Sequence, residues 1–312
     1  MRKKFVSALL FFLLFSFGCA QQKLAKAPRQ AVIDVHLHSE SLTNLKDWGP
    51  NPDTGKKAPE SVEEHIKQTL SMMDRCNIVL GLASGDLETV EQLRKAAPER
   101  IWAGPSDGIP GHDIEKLRAL YQSGRLRMMG EVCAQYDGLS PSDGVLEPYF
   151  ALAELMDIPT CIHMGMSFPG ITESCPKFRV SLGNPLLLED LLNRHPKLRV
   201  WMAHMGFPYL EETIGILNIY PQVYVDTSAI DWLEPGFTSY LKELVQYGFA
   251  KRIMFGSDQM TWPDAIGRAV EAVERAEFLS TEQKRDILYN NAARFLRLPP
   301  EQIAKHHGTS NR

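Results

Sequence analysis

From residue 31 onward, short apolar runs alternate with longer stretches in which apolar residues recur every three or four positions. The runs cover 32–36, 78–82, 101–104, 127–132, 160–163, 200–204, 223–227 and 253–256, most of them bounded by Gly, Pro or charge. That is the pattern of parallel strands buried on both faces. The stretches between them predict helices. Ser61 caps Val62–Cys76, and Glu64 three residues on completes a capping box. Pro185 opens a helix that stops before Pro196, and 209–220, 238–247 and 262–278 repeat the pattern. Residues 281–290 and 292–298 predict a closing helix pair. Eight strand–helix alternations in roughly 270 residues predict an α/β fold, a (β/α)8 TIM barrel with extra C-terminal helices. A doubly wound open sheet is the competing arrangement. It would more often carry a Gly-rich phosphate turn after its first strand, and none stands there. The longest irregular stretches, 39–60 and 164–184, both follow strands, on the side where a barrel keeps its functional loops.

The first residues stand outside this pattern. Arg2, Lys3 and Lys4 precede an apolar run, 5–17, too short to span a bilayer comfortably. Gly18 before Cys19 resembles a bacterial lipoprotein cleavage site, although Ser16 stands where Leu is usual. Residues 1–18 are therefore expected to be a signal peptide with Cys19 lipidated, 19–30 a tether, 31–298 the barrel and 299–312 a tail. Cleavage after Ala20 is the alternative. Either route exports the chain, as a membrane-anchored lipoprotein or to the periplasm. With 44% hydrophobic and 23% charged residues, a net charge of −4 and a pI near 6.2, the composition is ordinary and carries no sign of nucleic-acid binding. The partners expected are a small-molecule substrate and, through a lipid anchor only, the membrane; homodimerisation is left open. Of the other cysteines, Cys76, Cys133, Cys161 and Cys175, no pair is assigned as a bridge, since Cys133 and Cys161 fall in apolar runs suited to buried thiols.

His36 and His38 end the first strand, and residues two apart on a strand share a face, so both imidazoles can converge on one divalent ion. One His-x-His is weak evidence. The argument rests on recurrence: Glu131 lies late in the fourth strand, His163 ends the fifth, His204 ends the sixth and Asp258 follows the eighth. In a barrel these ends open on one rim, and imidazoles with carboxylates suit zinc or another first-row ion. The remaining histidines, His65, His112, His195, His306 and His307, fall in helix or tail positions and are expected in solvent.

The pattern of His36, His38, His163, His204 and Asp258 resembles the amidohydrolase superfamily. Residues 183–196, Ala203-His-Met-Gly206, Tyr224-Val-Asp-Thr-Ser228, Arg252-Ile-Met-Phe-Gly-Ser-Asp258 and Asn291-Ala-Ala-Arg-Phe-Leu296 are similar to its amidohydrolase-related branch (amidohydrolase 2), and the likeness spans about 31–298. That branch holds lactonases, other hydrolases and non-oxidative decarboxylases similar to amino-carboxymuconate-semialdehyde decarboxylase. The resemblance implies bound zinc, or manganese, with one ion expected rather than two. His36, His38, His163 and Asp258 would hold it. His204 would act as base beside the activated water, or polarise the substrate oxygen, and Asp258 would also carry the water's proton. Such an ion lowers the pKa of bound water from about 15.7 to about 7. Gly130-Glu131-Val132 resembles the glutamate form of the deoxyribonuclease-like branch. Glu131 therefore either bridges to a second ion held by His163 and His204, or accepts a hydrogen bond from a ligand imidazole. Arg179 and Lys177 could grip a substrate carboxylate, with Tyr136 and Trp262 as further substrate contacts; loop solvation and helix packing are the plainer roles. The function expected is a metal-dependent hydrolase attacking an ester, lactone or amide with metal-activated water. The alternatives are a non-oxidative decarboxylase of an unsaturated or aromatic acid, and a non-catalytic exported binding lipoprotein.

Overall fold

Eight strands carry the fold in a computed structural model, which describes residues 30–308 apart from 52, 107–108 and 230–235. The expected signal peptide, Cys19 and nearly all of the tether lie outside the described residues. The strands are β1 (Val32–Ser39), β2 (Ile78–Gly85), β3 (Ile101–Pro105), β4 (Met129–Val132), β5 (Thr160–Ile162), β6 (Val200–Met202), β7 (Val223–Asp226) and β8 (Ile253–Met254). They pair in parallel as two runs, β1-β2-β3 and β4-β5-β6-β7-β8. Backbone bonds join the runs at both edges. Arg127 N–H donates to Ala103 O, and on the opposite seam Val35 N–H donates to Phe255 O and Asp258 N–H to His36 O, each at 2.9 Å. The sheet therefore closes into the TIM barrel, and the open doubly wound sheet is excluded.

Helices wrap the outside for reasons visible in their spacing. In Val62–Cys76 the residues Ile66, Thr69, Met73 and Cys76 are buried on one stripe, and Asn77 ends the helix in left-handed backbone (φ 54°). Ser61 Oγ caps it by accepting from Glu64 N–H at 3.1 Å. The expected return arm of a capping box is not seen, because the Glu64 carboxylate accepts from Gln68 and Lys67 instead. Inside the barrel, Ile33, Val35, Leu80, Leu82, Met128, Cys161, Trp201 and Met254 pack together, with Tyr289 and Phe295 from the C-terminal segment sealing them. The expected closing pair is one continuous helix, Thr281–Arg285 running through a π turn, Asp286–Asn290, into Asn291–Phe295. Within the expected tail, Pro300–His306 forms a helix whose His306 Nδ1 meets Tyr289 Oη at 2.9 Å. All four described cysteines are unbridged. Among the described residues no helix is long and apolar enough to cross a membrane.

Two details position the functional rim. β1 carries a bulge: Asp34 pairs with Gly81 but Leu37 with Ala83, three steps against two. The extra residue lets Ile33 and Val35 face the barrel interior below while His36 and His38 turn to the rim above. At the β8–β1 seam a side chain at Gly256 would place its Cβ 2.7 Å from His36 Cβ, so the approach needs glycine.

Two histidines expected in solvent are buried. His195 lies between Glu147 (2.9 Å) and Glu154 (3.0 Å). His65 is 1% exposed because it shares the buried stripe with Thr69 and Met73, and its Nε2–H donates to Met260 O at 2.8 Å. Burial pushes its imidazole from 6.5 down to about 4. Between those values the unfolded chain binds a proton that the folded chain does not. The stability His65 contributes is thus complete above pH 6.5 and falls, by about 3 kcal/mol in all, as pH drops to about 4. His65→Gln keeps an N–H for Met260 O and removes the titration. Urea unfolding of this variant across that window is expected to show a shallower loss of stability than the parent; an identical slope would rule His65 out as the source.

Candidate metal centre

The ends of five strands deliver the candidate ligands to one place. β1 presents His36 and His38, β4 presents Glu131, His163 follows β5 directly, and His204 and Asp258 lie in the segments just past β6 and β8. His163 stays in register because its N–H still donates to Val132 O at 3.0 Å. His204 and Asp258 sit in left-handed backbone, φ 55° and 53°, which ends β6 earlier than expected. Such a conformation costs a non-glycine residue about 1–3 kcal/mol and needs support from its surroundings. For His204 that support is Asp226 Oδ1 and Ser228 Oγ, each accepting its backbone N–H at 3.0 Å.

The donor atoms fall into two groups around Glu131, linked through His204, which also lies within 4.8 Å of His36 and Asp258. On one side His36 Nε2 lies 3.2 Å from His38 Nε2, 3.4 Å from Glu131 Oε2 and 3.7 Å from Asp258 Oδ1. His38 Nε2 is 3.0 Å from Asp258 Oδ1 and 3.8 Å from Glu131 Oε2. Ligands tetrahedrally placed at zinc's usual bond lengths would be ~3.4 Å apart, so these four atoms are spaced as a small cation requires. On the other side Glu131 Oε1 is 2.7 Å from His163 Nδ1 and 3.3 Å from His204 Nε2, and the two imidazoles are 3.2 Å apart. His163, expected on one ion with His36, His38 and Asp258, is instead grouped with His204. Its Nδ1 faces this group, while Nε2, on the far side of the ring, is buried without a hydrogen-bond partner.

Residues outside the expected set hold these groups in place. Asp226 Oδ2 accepts from His36 Nδ1 at 2.9 Å and from Trp201 Nε1 at 3.1 Å, which leaves the His36 Nε2 lone pair facing the other donors. Its Oδ1 accepts from the N–H groups of His204 and Ser228 and from Ser228 Oγ–H. Ser228 Oγ in turn meets His204 Nδ1 at 2.9 Å. Gln259 clamps the backbone of His38: Oε1 accepts from its N–H at 3.0 Å and Nε2 donates to its carbonyl at 2.6 Å. Asp34 accepts from the N–H groups of His36 and Ser257 at 3.0 Å each, while burial pushes its carboxyl up to about 7. Sequence reasoning missed all four, although Asp226 carried a signal. It ends β7 as the other ligands end their strands.

Burial opposes charge on every member of the cluster, yet mutual attraction overrides it for most. Beside His36 and His163 the Glu131 carboxyl lies well below its ordinary range, and Asp258 is held down by His36 and His38. Conversely Glu131, Asp226 and Asp258 raise His36, Asp258 raises His38, and Glu131 with Asp258 raises His204. For His163 burial wins and its pKa falls. Carboxylates thus remain anionic in a dry pocket, and the imidazole protons are what a cation would displace.

The candidate substrate contacts divide. Tyr136 stands beside the cluster, its ring edge-on to His163 at 5.0 Å and its hydroxyl donating to Ser167 Oγ at 2.8 Å. Trp262 is buried in the loop wall, donating to Gly49 O and packing edge-on at 5.7 Å against Trp48, which meets Phe168 at 4.8 Å. Arg179 does not reach the cluster. It is exposed, and its guanidinium is turned onto its own loop, donating to Pro176 O and Phe178 O. Lys177 is exposed in the same loop.

A family model described as amidohydrolase matches residues 33–298. None of the curated proteins matches. Among solved structures, an uncharacterized TIM-barrel protein from Bordetella bronchiseptica is 18% identical with a TM-score of 0.63, covering 86% of this chain and 98% of its own. A probable 2-pyrone-4,6-dicarboxylic acid hydrolase from Acinetobacter baumannii, with citric acid bound, is 15% identical with a TM-score of 0.61, over 86% and 100%. A dihydroxybenzoic acid decarboxylase from Polaromonas sp. JS666, with bound manganese and the inhibitor 2-nitroresorcinol, is 14% identical with a TM-score of 0.62, over 86% and 97%. At these identities the likeness is one of fold.

The hydrogen bonds at Asp226 generate a test. Five donors converge on its two oxygens, and an asparagine offers them one oxygen and a competing N–H2. Asp226→Asn is expected to weaken divalent-ion affinity about 10–100-fold with the fold retained, read by competition with a chromogenic chelator and by circular dichroism. Parental affinity would show that His36 needs no such anchor.

Proposed function

We propose, from the premise that the chain belongs to the amidohydrolase family, that it is a metal-dependent hydrolase cleaving an ester, lactone or amide in a small molecule. The observation that carries this reading is the split of the Glu131 carboxylate, with Oε2 toward His36, His38 and Asp258 and Oε1 toward His163 and His204. It supports two cation positions sharing Glu131, zinc in preference to manganese, where a single ion was the simpler expectation. A divalent cation held there supplies Lewis acidity and brings a water within reach of deprotonation near neutral pH. Asp258 is the proton carrier in this proposal: Oδ1 faces His38, and Oδ2 lies 3.9 Å from His204 Nδ1, leaving a carboxylate poised between the two groups. It takes the water's proton and returns it to the leaving group. His204 completes the second position with His163; where only the first position is filled, it polarises the substrate carbonyl or acts as base. Tyr136, walled in beside His163, contacts the substrate, and the Trp48–Phe168–Trp262 cluster lines the loops above. The basic N-terminal segment with its apolar run and Cys19 supports a lipid-anchored or periplasmic enzyme acting on a compound met outside the cytoplasm.

A second reading, non-oxidative decarboxylation of an aromatic or unsaturated acid, is favoured by His204, which the nearby carboxylates keep more basic than an ordinary imidazole despite its burial. That suits it to deliver a proton to carbon. A panel of aryl esters, lactones, amides and hydroxybenzoates separates the readings. Water-dependent cleavage supports hydrolysis, and carbon dioxide release supports decarboxylation. A metal-free, inert protein would support the binding lipoprotein.

His38→Ala is expected to lower metal content, measured by plasma mass spectrometry, and to abolish turnover; full occupancy at the parental rate would refute its assignment as a ligand. Asp258→Asn is expected to lower kcat about 10²–10⁴-fold even where metal is retained, and a variant of undiminished rate would overturn the proton-carrier role.

A further inference from the structure

Glu131 lies in β4, and Cys133 follows the strand directly, two residues on. A carboxylate oxygen of Glu131, the Cys133 sulfur and a ring nitrogen of His163 all lie within 4.8 Å of one another. Cys133 Sγ is also 3.7 Å from the Glu131 carbonyl, which keeps the thiol folded back toward the carboxylate's own residue. His163 is 6% exposed, and its Nδ1 is the nitrogen turned to this side, 2.7 Å from Glu131 Oε1 and 3.2 Å from His204 Nε2. The thiol therefore stands not as an isolated cysteine but as one corner of a carboxylate–imidazole–sulfur triangle on the second side of Glu131. The other four-atom group, His36, His38, Glu131 Oε2 and Asp258, contains nitrogen and oxygen alone.

We infer that Cys133 is a donor to the cation on the Glu131–His163 side, giving that position sulfur character that the other lacks. This rests on the two-position reading above and adds to it a chemical difference between the positions. Thiolate ligands favour zinc, and cobalt as its stand-in, over manganese or magnesium. The second position would thus discriminate among ions by softness while the first accepts a wider range. On binding, the thiol proton leaves to solvent and a sulfur–metal bond forms, with no change of oxidation state.

The full chain, stripped with a chelator and reloaded with Co²⁺, tests this without reference to turnover. The expected result is a near-ultraviolet thiolate-to-cobalt charge-transfer band that accompanies cobalt binding and is absent from Cys133→Ser. Alkylation gives a readout that needs no variant. Cys133 and Cys175 are both partly exposed, whereas Cys76 and Cys161 are buried. Zn²⁺ is expected to slow iodoacetamide labelling of Cys133 more than roughly tenfold, since only free thiolate reacts, while Mg²⁺ leaves it unchanged and Cys175 serves as the internal control. Two bound cobalt ions with no charge-transfer band, or zinc binding with undiminished Cys133 labelling, overturns the inference and leaves the hydrolase reading standing. Failure of the chain to bind either ion overturns both.

Discussion

The geometry of the rim depends on one buried carboxylate, Asp226 at the end of β7. Removing a charge from water costs several kcal/mol unless hydrogen bonds replace those it loses. Asp226 is fully buried and regains them from His36, Trp201, His204 and Ser228, which belong to β1, β6 and the segments following β6 and β7. Any rotation of the His36 ring or relaxation of the His204 backbone would leave this anion short of a donor. One desolvated charge therefore fixes both the tautomer of an imidazole on β1 and the unusual backbone of an imidazole beyond β6.

The seam between the last strand and the first is the second constraint. Backbone pairing alone carries it only as far as Val35 with Phe255 and His36 with Asp258. Beyond that the side-chain amide of Gln259 takes the place of a strand partner, satisfying both polar groups of the His38 backbone. Rings can close without such a device. Here it continues the ladder to the residue whose imidazole must be held, so that barrel closure and ligand placement become one event.

Much of this was legible in the sequence because it is periodic. Apolar runs marked the strands to within a few residues, and polar residues at their ends marked the rim. What escaped was set by interactions that leave no period. The bulge in β1 is invisible in a string of alternating letters, although it decides which residues of that strand face the interior and which the rim. The division of donors around Glu131 follows from the direction of one side chain. Arg179, a plausible anion grip by composition, is turned away by the fold of its own loop. His65 is the instructive miss: its spacing with Thr69 and Met73 already placed it on the buried stripe, and its polarity was weighed above its position.

The left-handed backbone at His204 and Asp258 narrows what evolution can try there. Histidine, aspartate and asparagine enter that region more readily than other side-chain-bearing residues, and β-branched or bulky types resist it. A lineage drifting toward new chemistry would meet a conformational filter at both positions before selection on rate began. Met205, Ala229 and Met260 nearby share the same conformation (φ 51°, 66° and 45°), so innovation is channelled into the loop positions between these fixed points.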